Sequence, residues 1–258
     1  MKVFAISDLH LSSAVEKPMN IFGTSWDNHF EKICDDWRKK VGENDLVLLG
    51  GDMSWGMTID EAKPDYALVS ALNGRKIVVK GNHDLYWNSL IKMQQNFPDF
   101  DFLQNNAYRI TPSQSHDGQS TLHSAQCDQH LSVDVNEIGV VVAGSRGWNI
   151  PSKDTDEADL KIFNRELIRI ELSLKQAEKL KQDGDKLIVM LHYPPFEANF
   201  ADTAVTELLE KYNVNFVLYG HLHGKNVRVK PLVEKNGISY ILTSCDLIDC
   251  KLAEVCEI

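Results

Sequence analysis

The sequence predicts an α/β fold. Seven short runs rich in Val, Ile and Leu recur along the chain, which is typical of strands buried on both faces. Amphipathic helical patterns lie between them, and strands that alternate with helices indicate α/β architecture. The later strands follow shorter spacers, so we expect part of the sheet system to be antiparallel. The predicted strands are Val3–Ile6, Leu46–Leu49, Lys76–Val79, Gly139–Ala143, Leu187–Leu191, Phe216–Tyr219 and Ile238–Thr243.

Four helices are predicted between these strands. Apolar residues recur at spacings of three and four from Trp26 to Val41, and again from Asp156 to Lys181. A shorter helix is predicted over Thr203 to Tyr212. Thr58 and Glu61 have the spacing of a capping box, which predicts the start of a fourth helix just after Thr58.

Length, composition and charge limit the class of protein. The 258 residues are 43% hydrophobic and 25% charged, which fits one globular domain over residues 1–258. A formal net charge of -10 disfavours long nucleic acid as a partner. A small phosphorylated substrate, including a nucleotide, remains compatible, because bound divalent cations would dominate the local field.

The N-terminus and the cysteines bear on the compartment. Acidic and polar residues come too early for a secretory signal, and the apolar runs are too short to span a membrane. Five cysteines without a C-x-x-C pair favour reduced thiols over a disulfide framework. We therefore expect a cytoplasmic protein. A redox or metal role for the C-terminal group Cys245, Cys250 and Cys256 is the alternative.

The segment from Ser113 to His130 is almost free of large apolar residues and is predicted to be an exposed polar loop. It contains His116, His123, Cys127 and His130, but these lack the tight spacing of a structural zinc site. A solvated loop is the favoured interpretation.

Five short polar motifs come directly after five of the predicted strands. Ligand sites in α/β proteins gather beyond the carboxyl ends of strands, so we expect the five motifs to converge. Any one aspartate or histidine here could instead be a cap, a turn residue or a hydrogen-bonded loop residue. The motifs are Asp8-Leu9-His10, Gly50-Gly51-Asp52, Gly81-Asn82-His83-Asp84, His192 and Gly220-His221-Leu222-His223.

Their residue types predict a site for two divalent metal ions. Carboxylate oxygen with imidazole nitrogen suits Mn, Fe or Zn, and Asp52 is the best candidate for a bridging carboxylate. Two adjacent ions polarise a phosphoryl group, generate hydroxide at neutral pH and clamp the oxygens of an in-line displacement. The pattern therefore predicts phosphoester chemistry.

The ordered set DLH, GGD, GNHD, H and GHLH, from Asp8 to His223, resembles the calcineurin-like metallophosphoesterase superfamily, in particular its small bacterial-type phosphohydrolases. The resemblance implies a four-layer αββα sandwich, with two mixed β-sheets flanked by helices. It also implies a dinuclear-metal-dependent phosphohydrolase that cleaves a phosphomonoester or phosphodiester by attack of a metal-bridging hydroxide. The alternative is a non-catalytic scaffold that keeps the fold for protein binding.

The same resemblance implies a role for each motif residue. His83 would lie outside the metal shell and assist the leaving group, as a general acid or by stabilising transition-state charge. Seven residues would be metal ligands. Asp8, His10 and His223 would hold the first ion, Asn82, His192 and His221 the second, and Asp52 would bridge them.

One departure from the family pattern concerns Trp55. Ser/Thr protein phosphatases of this superfamily carry an acid at that position, which would partner His83, and they have GNHE where this chain has GNHD. Protein-phosphatase activity is therefore disfavoured. Asp84 is predicted to cap a helix that begins near Leu85, with orientation of His83 as the alternative.

Several residues near the motifs have two interpretations. Arg146 follows a predicted strand and could reach a substrate phosphate, as could Arg165, although a structural or surface role is favoured for each. Trp55, Trp87 and Trp148 could line a substrate pocket or pack in the core.

Overall fold

Two β-sheets pack face to face in the computed structural model, which describes residues 1–113, 137–224, 227 and 230–258. Apart from Ser113, the predicted polar loop of residues 113–130 lies outside the described residues. Cysteines 34, 245, 250 and 256, in the described part, are free thiols. Within the same ranges, no helix combines the length and the hydropathy needed to cross a bilayer.

The strands and helices follow one another in an α/β order. The strands are β1 (Lys2–Ile6), β2 (Leu46–Leu49), β3 (Arg75–Val79), β4 (Phe100–Leu103), β5 (Ala107–Ile110), β6 (Val140–Ser145), β7 (Lys186–Leu191), β8 (Phe216–Tyr219), β9 (Leu232–Lys235), β10 (Ile238–Leu242) and β11 (Ala253–Glu257). The helices are α1 (His29–Lys40), α2 (Ile59–Ser70), α3 (Leu90–Asn96), α4 (Glu157–Leu180) and α5 (Ala204–Lys211).

Each sheet has a parallel centre, and antiparallel strands lie at one edge of the first sheet and at both edges of the second. The first sheet has the order β11-β1-β2-β3-β4, and only β11 runs antiparallel to its neighbour. The second has the order β5-β6-β7-β8-β10-β9, with β5 and β9 antiparallel at its two edges. The expected antiparallel component is confirmed, and it lies at the edges of both sheets.

Side-chain alternation explains the layers. In β1, Val3 and Ala5 point into the core between the sheets, whereas Phe4 and Ile6 pack against helices. Helices α1, α2 and α3 cover the outer face of the first sheet, and α4 and α5 cover that of the second. The predicted four-layer αββα sandwich is confirmed.

Local signals placed most helix ends correctly. The capping box is present, because Thr58 Oγ1 accepts from the N–H of Glu61 at 3.3 Å and Glu61 Oε2 accepts from the N–H of Thr58 at 3.2 Å. The first helix was predicted to include Trp26, and this was wrong. Trp26 ends a short 3-10 helix, and α1 starts only after Asn28, whose φ of 49° interrupts the helical path.

A backbone bridge joins the carboxyl ends of the two sheets. The N–H of Ser7, just after β1, donates to the carbonyl of Thr243 at 2.8 Å, and the N–H of Cys245 donates to the carbonyl of Ser7 at 3.2 Å. Thr243 follows β10 of the other sheet. The loops that leave the two sheets therefore meet at one rim.

Candidate metal centre

The rim brings all seven predicted ligands together from five loops. Asp8, His10 and His223 form one group whose ligand atoms lie within 4.8 Å of one another, and His223 Nε2 is 3.3 Å from Asp8 Oδ1. Asp8, Asp52 and His192 form a second such group. Residues separated by more than 200 positions thus share one site, which a single short motif could not achieve.

Asp52 lies between the two halves of the site. Its Oδ2 is 3.7 Å from His10 Nε2 on one side and 3.4 Å from His192 Nε2 on the other. The amide Oδ1 of Asn82 lies 2.7 Å from His192 Nε2 and 2.8 Å from His221 Nδ1. The three residues expected to share the second ion therefore converge on the Asn82 amide oxygen, and the Asp52 carboxylate contacts both halves of the site.

Four of the seven residues have left-handed backbone. The φ angles of Asp8, His10, Asp52 and His221 are 60°, 47°, 52° and 70°. Such conformations cost about 1–3 kcal/mol each and persist where surrounding contacts enforce them. Here two loops brace each other, because the N–H of Asp8 donates to the carbonyl of Gly51 and that of His10 donates to the carbonyl of Asp52, both at 2.9 Å.

Two motif glycines permit the close approach of these loops. A Cβ on Gly81 would lie 2.0 Å from Asp52 Oδ1, and a Cβ on Gly220 would lie 2.5 Å from Asp8 Oδ2. Either methyl group would displace a carboxylate of the site. The glycines of GNHD and GHLH are therefore explained by steric need.

The predicted helix cap at Asp84 was wrong. Helix α3 begins later, at Leu90, and Ser89 caps it. The Asp84 carboxylate instead ties the loop of Asp52 to the loop of Asn82, and in doing so it fixes the relative position of two predicted ligands. It accepts hydrogen bonds from the N–H groups of Asp52 (3.0 Å), Met53 (2.9 Å) and Gly81 (2.7 Å) and from the hydroxyl of Tyr86 (2.8 Å).

The charges and unpaired atoms of the site fit divalent cations. Among the described residues, the buried Asp52 Oδ2 and His10 Nδ1 have no hydrogen-bond partner. Burial, reinforced by the Asp84 and Asp8 carboxylates, raises the pKa of Asp52 to about 9, and a bound cation would favour its ionised form. Burial lowers the pKa of His10 to about 3, so its imidazole is neutral and its contact with Asp52 is not an ion pair. A neutral imidazole is the form that binds a metal.

Two histidines are oriented by groups behind them. His192 Nδ1 lies 3.0 Å from the carbonyl of Gly50, and a proton on Nδ1 that donates to this carbonyl leaves Nε2 facing the site. His223 Nδ1 lies 2.8 Å from Asp246 Oδ1. Burial opposes the charge on His223, but the hydrogen bonds that the ring donates to the Asp246 and Asp8 carboxylates outweigh burial and raise the pKa of His223 to about 10. Metal binding at His223 would therefore release a proton. Asp246 was not predicted from the sequence, although it follows β10 at the same rim.

Aromatic rings form one wall of the site. The ring of Trp55 stacks on that of His10 with centroids 4.6 Å apart and lies 4.5 Å from the ring of His83. An indole therefore contacts His83 at the position where the protein phosphatases carry an acid. The ring of Trp148 lies 5.2 Å from that of Tyr193, and Tyr193 in turn contacts His221. Trp87 packs in the core under the helices, so for it the core interpretation is correct.

Arg146 and Arg165 both approach the carboxylate of Glu166. Arg146 directly follows β6, and its carbonyl accepts from the N–H of His192 at 3.0 Å, which places it next to a predicted ligand. Its guanidinium lies 4.5 Å from the Trp148 ring centroid. The side chain of Arg165 is 55% exposed and comes within 3.7 Å of Glu166.

Comparison with known proteins decides the family. The model of the calcineurin-like phosphoesterase family matches residues 1–225. The chain belongs to this family. Membership of this family supports metal-dependent hydrolysis of phosphate esters in general terms.

This calcineurin-like phosphoesterase has relatives of low identity. Over 105 residues it is 26% identical to an uncharacterized protein of Methanocaldococcus jannaschii, a match that covers 40% of the chain and 58% of that protein. A phosphopantetheinyl hydrolase of Mycobacterium tuberculosis aligns at a TM-score of 0.54 and 12% identity, covering 98% of this chain and 95% of that one. The protein TT1561 of Thermus thermophilus aligns at 0.54 and 14%, covering 98% and 97%. At such identities the structures share the fold alone.

Asp246→Asn is expected to weaken metal binding by this phosphoesterase about 10- to 100-fold, because residues that orient a metal-binding histidine contribute on that scale. Asparagine keeps the shape of the side chain but removes the charge beside His223. Metal affinity is measured by competition with a chelating dye. Asp249→Asn, at an exposed aspartate nearby, is the matched control. Equal affinities in the two variants would contradict the role of Asp246.

Proposed function

We propose that the protein is a dinuclear-metal-dependent phosphohydrolase that cleaves a phosphomonoester or phosphodiester of a small substrate, such as a nucleotide. The observation that carries this proposal is the convergence of seven carboxylate, amide and imidazole ligands on one rim, with His83 beside them. The net charge of -10 argues against long nucleic acid as the substrate.

The proposed ligand sets follow the contacts at the rim. When bound, two ions such as Mn, Fe or Zn polarise a phosphoryl group and activate water for in-line attack. The division of the ligands is supported by the group of Asp8, His10 and His223 and by the convergence of His192 and His221 on the Asn82 amide. Asp52, between the two sets, is the proposed bridge.

His83 is proposed to assist the leaving group. Its N–H donates to Asp52 Oδ1 at 2.7 Å, which fixes its backbone to the bridging residue. Its ring is half-buried and contacts the rings of Trp55 and His10, with centroids 4.5 and 5.6 Å away. Burial and the nearby Lys17 charge lower the pKa of His83, so the neutral ring dominates near neutral pH and carries one N–H for donation.

The direct test is an assay of the protein purified and loaded with Mn. We expect turnover of a generic phosphomonoester or phosphodiester that is abolished by a chelator and restored by adding metal. Running both substrate types separates monoesterase from diesterase. If the protein holds two ions per chain but turns over neither the phosphomonoester nor the phosphodiester, it is the non-catalytic scaffold and the proposed activity is rejected.

A further inference from the structure

A buried carboxylate beside the metal centre is surrounded by arginines. Glu166 of α4 is 1% exposed, and its Oε2 accepts from the hydroxyl of Ser145 at 2.9 Å. Its Oε1 lies 2.6 Å from Arg169 Nη1, 3.7 Å from Arg146 Nη2 and 3.7 Å from Arg165 Nε. We call these four charged residues the Glu166 cluster. None of them is a predicted metal ligand.

The cluster carries an excess of positive charge. One carboxylate faces three guanidinium groups, of which those of Arg146 and Arg169 are largely covered, with side chains 18% and 33% exposed. Half-buried Lys80, just after β3, adds a further cation, and the charges of Arg146, Glu166, Arg169 and Asp84 all act on its ammonium. Asp84 is already engaged by three backbone N–H groups. Partly buried cations in excess of their counterions are stabilised when an anion binds.

Two contacts restrain the Arg146 guanidinium before any ligand arrives. It lies 3.7 Å from Glu166 Oε1 and 4.5 Å from the ring centroid of Trp148. A planar guanidinium that is already restrained favours bidentate binding of phosphate, because less side-chain freedom is lost on binding. Lysine could not supply this fork.

The cluster lies beside the metal centre but separate from it. The carbonyl of Arg146 accepts from the N–H groups of His192 at 3.0 Å and Tyr193 at 3.1 Å. The ring of Tyr193 lies between the Arg146 loop and the metal centre, with its centroid 4.1 Å from that of His221. An anion bound at Arg146 would therefore be separated from the metal centre by the Tyr193 side chain.

We propose that Arg146 and Arg169, positioned by Glu166, bind a second phosphoryl group of the substrate, so that the preferred substrates carry two phosphates. The Glu166 cluster would bind the phosphate that is not cleaved, while the metal centre would act on the other phosphate. As a statement about substrate choice, this rests on the proposed function of the metal centre, whereas anion binding by the cluster can be tested without it.

The first experiment uses metal-free protein, so that the metal centre does not contribute ion-mediated phosphate binding. Calorimetric titration with inorganic phosphate is expected to show one site per chain. Arg146→Gln and Arg169→Gln should each weaken it at least about tenfold, because hydrogen bonds to charged groups contribute on that scale. Arg146→Lys, which keeps the charge and should fold if glutamine does not, should also bind more weakly than wild type.

Arg38→Gln, at an exposed arginine of α1, is the control and should match wild type. Absence of phosphate binding by wild type, or equal binding by the cluster variants, would overturn the proposal.

The second experiment measures substrate preference in the metal-loaded enzyme. Alkanediol bisphosphates of increasing chain length are compared with the corresponding monophosphates. We expect one length to be preferred in kcat/KM, and this preference to fall at least about tenfold in Arg146→Gln. Equal use of mono- and bisphosphates would reject the inference and leave the phosphohydrolase intact. Phosphate binding without turnover of any ester would reject the phosphohydrolase and leave the anion site intact.

Discussion

Asp52→Asn is expected to reduce bound metal from two ions per chain to at most one and to lower turnover at least about 1,000-fold, since the metal pair supplies several kcal/mol of transition-state stabilisation. The substitution is close to isosteric. Asparagine keeps an Oδ1 that accepts from the N–H of His83 but removes the charge between His10 and His192. Loss of function would therefore report the bridging charge and not a loop that has moved. Metal is counted by mass spectrometry of dialysed protein, and kcat is measured at saturating Mn.

In the absence of metal, the same variant is expected to be more stable than wild type at neutral pH. In metal-free protein, burial raises the pKa of Asp52 from 3.8 to about 9. A raised pKa contributes stability below the unfolded value, and this contribution is lost as pH rises toward the folded value. Metal-free wild type should therefore lose stability as pH rises through this window, and Asp52→Asn should lose less and unfold at a higher temperature at neutral pH.

The control for both effects is Asp60→Asn, at an exposed aspartate of α2. It should bind two ions and unfold as wild type does at each pH. Full metal content with normal turnover in Asp52→Asn would contradict the bridging role. A lower unfolding temperature in the metal-free variant would contradict the electrostatic explanation while leaving the metal count informative.

The central strands and the ligand residues could be predicted from sequence because their signals are local. Strand β2 is apolar at all four positions, since both of its faces are buried, and Asp52 follows three residues after its end. The edge strands lack this signal. β9 alternates exposed and half-buried residues, and β5 has Tyr and Arg at its centre, so neither forms an apolar run. The prediction recovered the centre of each sheet and missed its edges.

Residues that position other side chains of the rim could not be predicted from local sequence signals. Asp84 acts on Asp52, which is 32 positions away, Asp246 acts on His223 over 23 positions, and Glu166 accepts from Ser145 over 21 positions. A short sequence window contains only one member of each pair. The local alternative, a helix cap, therefore had the better sequence support for Asp84 and was nevertheless wrong.

His83→Ala is expected to keep both ions but to lower turnover about 100- to 10,000-fold, the range for loss of a positioned acid–base group. The alanine N–H still donates to Asp52 Oδ1, so the loop and the bridging carboxylate keep their support. His83→Asn is the matched variant, because its amide donates a hydrogen bond but cannot transfer a proton. Metal content and kcat are measured together for all three proteins, and unchanged turnover in His83→Ala would exclude the role.

The leaving group and pH distinguish the two ways in which His83 can assist. An alkoxide needs a proton or a donor far more than a nitrophenolate does, so the loss in His83→Ala should be much larger for an alkyl phosphate than for a nitrophenyl phosphate. Burial and the Lys17 charge place the pKa of His83 below 6.5. If the protonated ring is the acid, kcat for the alkyl ester must fall as pH rises through that lowered value, and His83→Ala must lose this fall. If the neutral ring acts by hydrogen-bond donation, kcat shows no such fall and His83→Asn retains part of the activity. Equal losses on both esters would remove His83 from the leaving-group side and place its effect on the attack step.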